Sequence, residues 1–128
     1  MKETELRIGN YISNQDGTLR GIPIGEPHIV DKTDFKWAEM YVPIPLTEEW
    51  LLKFGFELKD KINMGFIKQI NFPHMKNYLY VNSKYYTTAL WDEISQKEFL
   101  IMLNPCQYVH QLQNLYFALT NEELTIKN

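Results

Sequence analysis

The chain has 128 residues, the size of one domain, and its hydrophobic fraction of 45% with 23% charged residues excludes an intrinsically disordered polypeptide. Six glycines and six prolines are too few for a fibrous or low-complexity chain, and the single Cys106 excludes a disulfide framework or a multi-cysteine zinc site. The net charge of −3 argues against a dedicated duplex-DNA binder, which needs excess cations to displace counterions.

The charged start Met1-Lys2-Glu3-Thr4-Glu5 does not read as a secretory signal. The longest apolar runs, such as Phe99 to Leu103, fall far short of the ~20 residues that cross a bilayer. A cytoplasmic protein with no membrane partner is expected. Aromatic residues are in surplus at 14% of the chain, so rings are expected to build much of the core.

In chain order, the first 46 residues read as a β-rich lobe. Leu6, Ile8 and Ile12 fall on one face of an alternating segment that Asn10 interrupts, and Asn14-Gln15-Asp16-Gly17 supplies a turn. Two glycines and two prolines between Gly21 and Pro27 predict loop or edge strand, and His28-Ile29-Val30 a short strand. Pro43-Ile44-Pro45 is extended, because each proline biases its predecessor away from helix. Thr47-Glu48-Glu49-Trp50 starts a two-turn helix: Thr47 caps it, two glutamates complement the dipole, and Gly55 stops it.

Residues 56 to 103 read as an antiparallel meander. Ile62, Met64, Phe66 and Ile70 alternate with Asn63, Gly65, Ile67 and Gln69, and Lys68 breaks the apolar face. Tyr78 and Tyr80 take one face of the next strand while Leu79 and Val81 take the other. A turn at Asn82-Ser83-Lys84 leads into Tyr85 to Trp91, and Phe99, Ile101 and Leu103 alternate once more. A longer helix over 108–119 follows, with Val109, Leu112, Leu115, Tyr116 and Leu119 in one arc and His110, Gln113, Asn114 and Phe117 opposite. Asn121 can end it in a left-handed conformation, and Leu124-Thr125-Ile126 suggests a last strand. The expected fold is α+β: a mostly antiparallel sheet of about six strands, one short and one longer helix, and a β-rich N-terminal lobe, all in a single domain spanning 1–128.

Three blocks carry a resemblance: Leu6-Arg7-Ile8-Gly9-Asn10, the run from Pro43 to Phe56, and the run from Tyr108 to Thr120. Together they resemble an uncharacterised family of short proteins from gut-type anaerobic bacteria, their phages and mobile elements. The middle of the chain, 57 to 104, carries no matching motif, and Asn121 stands where the family often has Gly. The resemblance implies no catalytic or binding residue. It implies a setting, that of an accessory protein of a phage or mobile element, among which counter-defence factors and virion components are found.

No pair among His28, His74 and His110 has metal-ligand spacing, so no metal is expected. Cys106 and His110 lie four residues apart, but a thiol nucleophile also needs an orienting group and an oxyanion hole. Asn114 could orient His110, but three residues on one helical face rarely converge on one substrate atom. The adjacent carboxylates Glu48-Glu49, Asp92-Glu93 and Glu122-Glu123 point apart on any regular backbone and make no acid–base dyad. The expectation is a non-enzymatic protein without a cofactor.

Charge distribution says more than its total. Residues 53–84 carry six lysines against Glu57 and Asp60, while the flanking segments are acidic. Lysine for phosphate and aromatic rings for bases is the chemistry of nucleotide binding. Lys68, Lys76, Tyr78, Tyr80 and Lys84 are the candidate ligand-binding residues for a small anionic, nucleotide-like ligand. Lysines on strand edges also oppose sheet-to-sheet association. The alternative reading is therefore a protein-interaction or virion accessory protein that contacts a host protein through a sheet edge or exposed aromatic surface. The oligomeric state is left open, a homo-oligomer included.

Overall fold

The structure, a computed structural model, describes residues 6–14, 27–31, 41–72, 75–92 and 100–127. The turn at 15–17, the loop at 21–26, His74, the segment 93–99 and the side chain of Lys76 lie outside what it describes. The fold is α+β, with eight described strands in two antiparallel sheets and two helices. Strands β1 (Tyr11–Asn14), β2 (His28–Ile29) and β3 (Tyr41–Val42) form a small sheet in the order β2-β1-β3. Helix α1 (Glu48–Lys53) follows, then β4 (Glu57–Asp60), β5 (Gly65–Phe72), β6 (Met75–Asn82), β7 (Thr88–Asp92) and β8 (Leu100–Leu103) in a five-stranded meander. Helix α2 (Val109–Thr120) closes the series. No described helix is long and apolar enough to cross a membrane.

Two-residue periodicity decides the faces of the meander. The register Phe66↔Val81, Lys68↔Leu79 and Gln69↔Tyr78 puts Phe66, Ile70, Leu79 and Val81 on the inner face, with Lys68 among them. Ile67, Gln69, Tyr78 and Tyr80 face outward. The inner face packs on Leu51, Phe54 and Phe56 around α1 and on Val109, Leu112 and Tyr116 of α2. Each fully buried Leu or Phe there contributes roughly 1.5–3 kcal/mol. A second cluster, Leu6, Ile12, Val30 and Tyr41, fills the N-terminal lobe, and Tyr11 packs against the main core.

Helix α1 has six residues and is too short to hold itself. Thr47 Oγ1 accepts from Trp50 N at 3.4 Å, and burial of Trp50, Leu51 and Phe54 anchors one side. Its C-terminus is a Schellman turn: Phe56 N donates to Leu51 O and Gly55 N to Leu52 O, with Gly55 at φ +86°. Helix α2 begins where the Gln111 side chain accepts from Tyr108 N at 3.2 Å, and it ends at Asn121 in the left-handed region. Asparagine tolerates that conformation better than most residues.

Four local expectations are corrected. Residues 6–10 form a turn, not an alternating strand: Ile8 is exposed and Asn10 buried, because Asn10 Oδ1 accepts from Arg7 N and closes the turn. Ile62 belongs to the β4–β5 turn and is 89% exposed, since Asp60 accepts from the Ile62 and Asn63 amides and bends the chain there. Leu124 to Ile126 pair with no strand, although Leu124 is buried. His110 and Gln113, on the presumed wet face of α2, are buried. The Arg7–Tyr11 segment lies over Gln113, so α2 is covered on two sides.

Candidate functional site

The Schellman turn after α1 leaves the carbonyls of Lys53 and Phe54 to be satisfied from elsewhere. Lys127 N donates to Lys53 O at 2.7 Å, which ties the C-terminal segment to the helix end. Lys68 Nζ donates to Phe54 O at 2.8 Å, reaching there from an inner-face position of β5. Gly55 is the point on which both lysines converge. A Cβ at that residue would stand 3.0 Å from Lys68 Nζ and 3.3 Å from Lys127 Cδ.

These residues open into a polar cleft of about 310 Å³, lined by Gly55, Glu57, Ile67, Lys68, Gln69, Tyr78 and Lys127. It lies where β4 starts at Glu57 and β5 runs on past it, so groups from both faces of β5 reach it. Burial, and secondarily the neighbouring Lys127 charge, push the Lys68 ammonium below the usual lysine range. Among the described residues, no ion pair joins Glu57 or any other carboxylate to either lysine. Two cations share one cleft. The negative end of α1 and the Phe54 carbonyl offset part of that repulsion.

The five residues singled out from the sequence do not form one surface. Lys68 and Tyr78 border the cleft. Tyr80 lies on the outer face with its ring over Gly65, where a Cβ would meet ring atoms at 2.5 Å, so it serves as a cover for that glycine. Lys84 is in the β6–β7 turn, exposed, with Nζ 5.3 Å from the Tyr85 ring centroid. Lys76 sits opposite Asn71 near the other end of β6, roughly 20 Å at strand rise from Asn82, where the turn that carries Lys84 begins. Lys127 and Gly55 were not singled out. The spacing of 59 positions between Lys68 and Lys127 leaves no local trace, and only Gly55 as a helix stop was readable.

A second, larger cleft of about 600 Å³ runs beside α2, lined in part by Pro43, Cys106, Tyr108, His110, Gln111 and Asn114. It holds the Cys106–His110 pair, but burial pushes the thiol up to about 12, the opposite of an activated nucleophile. Asn114 Oδ1 accepts from Arg7 Nε and Asn10 Nδ2, each at 2.9 Å, which ties it to the N-terminal segment. Among the described residues, no three side chains cluster as metal ligands. Compared with known proteins, the chain matches no family model, no curated protein and no solved structure.

Proposed function

We propose that this chain is a non-enzymatic binding protein that takes a small anionic, nucleotide-like ligand at Lys68 and Lys127. The observation that carries the reading is the convergence of two lysines on Gly55 with, among the described residues, no carboxylate in ion-pair contact with either, although Glu57 also lines the cleft. An entering oxyanion would replace mutual repulsion by two charge-assisted hydrogen bonds. Tyr78 borders the same cleft and supplies a ring for a planar group. The volume is at the lower end of ligand pockets, which suits a mononucleotide better than a polymer. The buried, weakly acidic Cys106 thiol supports binding over catalysis. With the resemblance of the three blocks, the proposed setting is a phage or mobile element, where such a protein acts in counter-defence by sequestering a nucleotide signal.

Calorimetry against inorganic phosphate and a panel of nucleotides, at low and physiological salt, tests the proposal. Nucleotides should bind more tightly than phosphate, and Lys127→Gln should weaken binding about tenfold, the value of one charge-assisted hydrogen bond. Lys84→Gln should bind as the native chain does. Failure of every ligand, or native affinity in Lys127→Gln, overturns it.

One observation favours the second reading, action through a sheet edge. The outer strand β8 carries no charge and exposes Ile101 and Met102.

A further inference from the structure

The five-stranded sheet ends in two strands of opposite character. β4 carries Glu57, Lys59 and Asp60, and its register with β5 shifts between Leu58 and Asp60. Charge and a bulge are devices that stop another strand from adding on. β8, Leu100-Ile101-Met102-Leu103, has neither charge nor proline, and its register with β7 runs unbroken through four pairs. Among the described residues, no strand lies on its outer side.

Side-chain exposure agrees with the backbone. Ile101 lies opposite Leu90 on the helix-bearing face, yet it is 53% exposed. Met102 lies opposite Ala89 on the other face and is 62% exposed. Both sides of this edge therefore offer apolar surface to whatever strand pairs with it.

We infer that β8 is a self-pairing strand through which two copies of the chain form an antiparallel dimer, extending five strands to ten. The inference rests on the sheet-edge reading and is independent of the anion cleft. Charge decides the partner. An added strand like β4 would set Glu57, Lys59 or Asp60 beside Ile101 and Met102, whereas a second β8 sets only apolar side chains there. A two-fold axis perpendicular to the sheet keeps each face with itself, so either Ile101 pairs with Ile101 of the other copy and Met102 with Leu100, or Met102 pairs with Met102 and Ile101 with Leu103. The axis then passes at Ile101 or at Met102. Four residues of pairing bury less than a standard interface, so the dimer is reversible and depends on concentration.

Sedimentation velocity of the full chain over a dilution series reads this directly, and a monomer–dimer equilibrium is expected. The double variant Ile101→Lys, Met102→Lys should sediment as a monomer at every concentration with an unchanged far-ultraviolet spectrum, since both side chains are exposed. Leu58→Lys, on the other edge, should leave the equilibrium as it was. Under mild oxidation, Ile101→Cys or Met102→Cys should form a disulfide-linked dimer, and the buried Cys106 with its weakly acidic thiol does not compete. A native chain that is monomeric at all concentrations overturns the inference, as does a dimer that survives the double lysine variant. Nucleotide titration of that variant reports on the cleft separately, so the two proposals fail by different signals.

Discussion

Arg7 and Lys68 are both half-buried cations set against a helix, and their surroundings follow opposite rules. The Arg7 guanidinium donates to Asn114 Oδ1, to Gln113 O at 3.1 Å and to both carboxylate oxygens of Glu123, with Cζ 4.3 Å from the Phe117 ring centroid. Lys68 has one backbone carbonyl, the Tyr116 ring 6.0 Å away and, beside it, a second lysine. A cation whose charge is matched by a bidentate carboxylate is spent on structure. One that faces its own sign still has charge to offer a ligand. Stability and binding should therefore separate cleanly between the two places.

The largest effect is expected at the matched site. Gln113 is fully buried; its Oε1 accepts from Tyr11 N at 2.8 Å and its Nε2 donates to Gly9 O at 3.0 Å. Gln113→Ala leaves these groups unpaired and opens a cavity, costing on the order of 3 kcal/mol in urea unfolding. Lys127→Gln should cost less than about 0.5 kcal/mol in the same experiment. Equal losses would erase the distinction.

A smaller effect on stability, with a companion effect on binding, is expected at the cleft itself. Gly55→Ala places a Cβ at φ +86°, a destabilisation of about 1 kcal/mol, and pushes against both lysines. Unfolding midpoints should fall modestly while phosphate affinity falls several-fold. A change in stability alone would mean that the lysines do not hold the anion.

Protonation sharpens the contrast because its two readouts move in opposite directions. The folded pKa of Lys68 is lowered, by burial first and by Lys127 second, while the unfolded value stays ordinary. Between those two values the unfolded chain binds more protons, so this lysine's contribution to stability rises with pH. Anion binding needs the ammonium and falls across the same window, beginning below the usual lysine range. Parallel denaturation and calorimetry from neutral to alkaline pH should show the two trends crossing. The smallest expected signal is at Cys106. With a thiol near about 12, roughly one molecule in ten thousand is thiolate at pH 8. A thiol reagent should label the native chain negligibly and the urea-unfolded chain fully.

What the sequence reveals depends on how far apart the cooperating residues are. Thr47 as a cap, Gly55 as a stop, Asn121 as a left-handed end and the Tyr78/Leu79 alternation are each decided within four residues, and each is found in the structure. Lys68 on an apolar face was readable as an irregularity; its reason, the Phe54 carbonyl, lies 14 residues away. Helical periodicity puts His110 and Gln113 on the wet face, since it knows nothing of the N-terminal segment that lies over Gln113. The lysine pair at the cleft is a product of the fold alone. Charge counting along the chain, which pointed to 53–84, could not include Lys127.

The Arg7–Glu123 contact spans 116 positions and joins the beginning of the described chain to its last turn. Long closures carry an entropic penalty that is recovered only after the intervening segment is in place. During synthesis at the usual rate, Arg7 leaves the ribosome and waits on the order of ten seconds for its partner to be made. The Arg7 contacts with Gln113, Asn114 and Glu123 are therefore among the last to close, after α2 has been made. Chains that end before residue 109, which lack Gln113, Asn114 and Glu123, should be cut by protease within 6–14 more readily than the full chain.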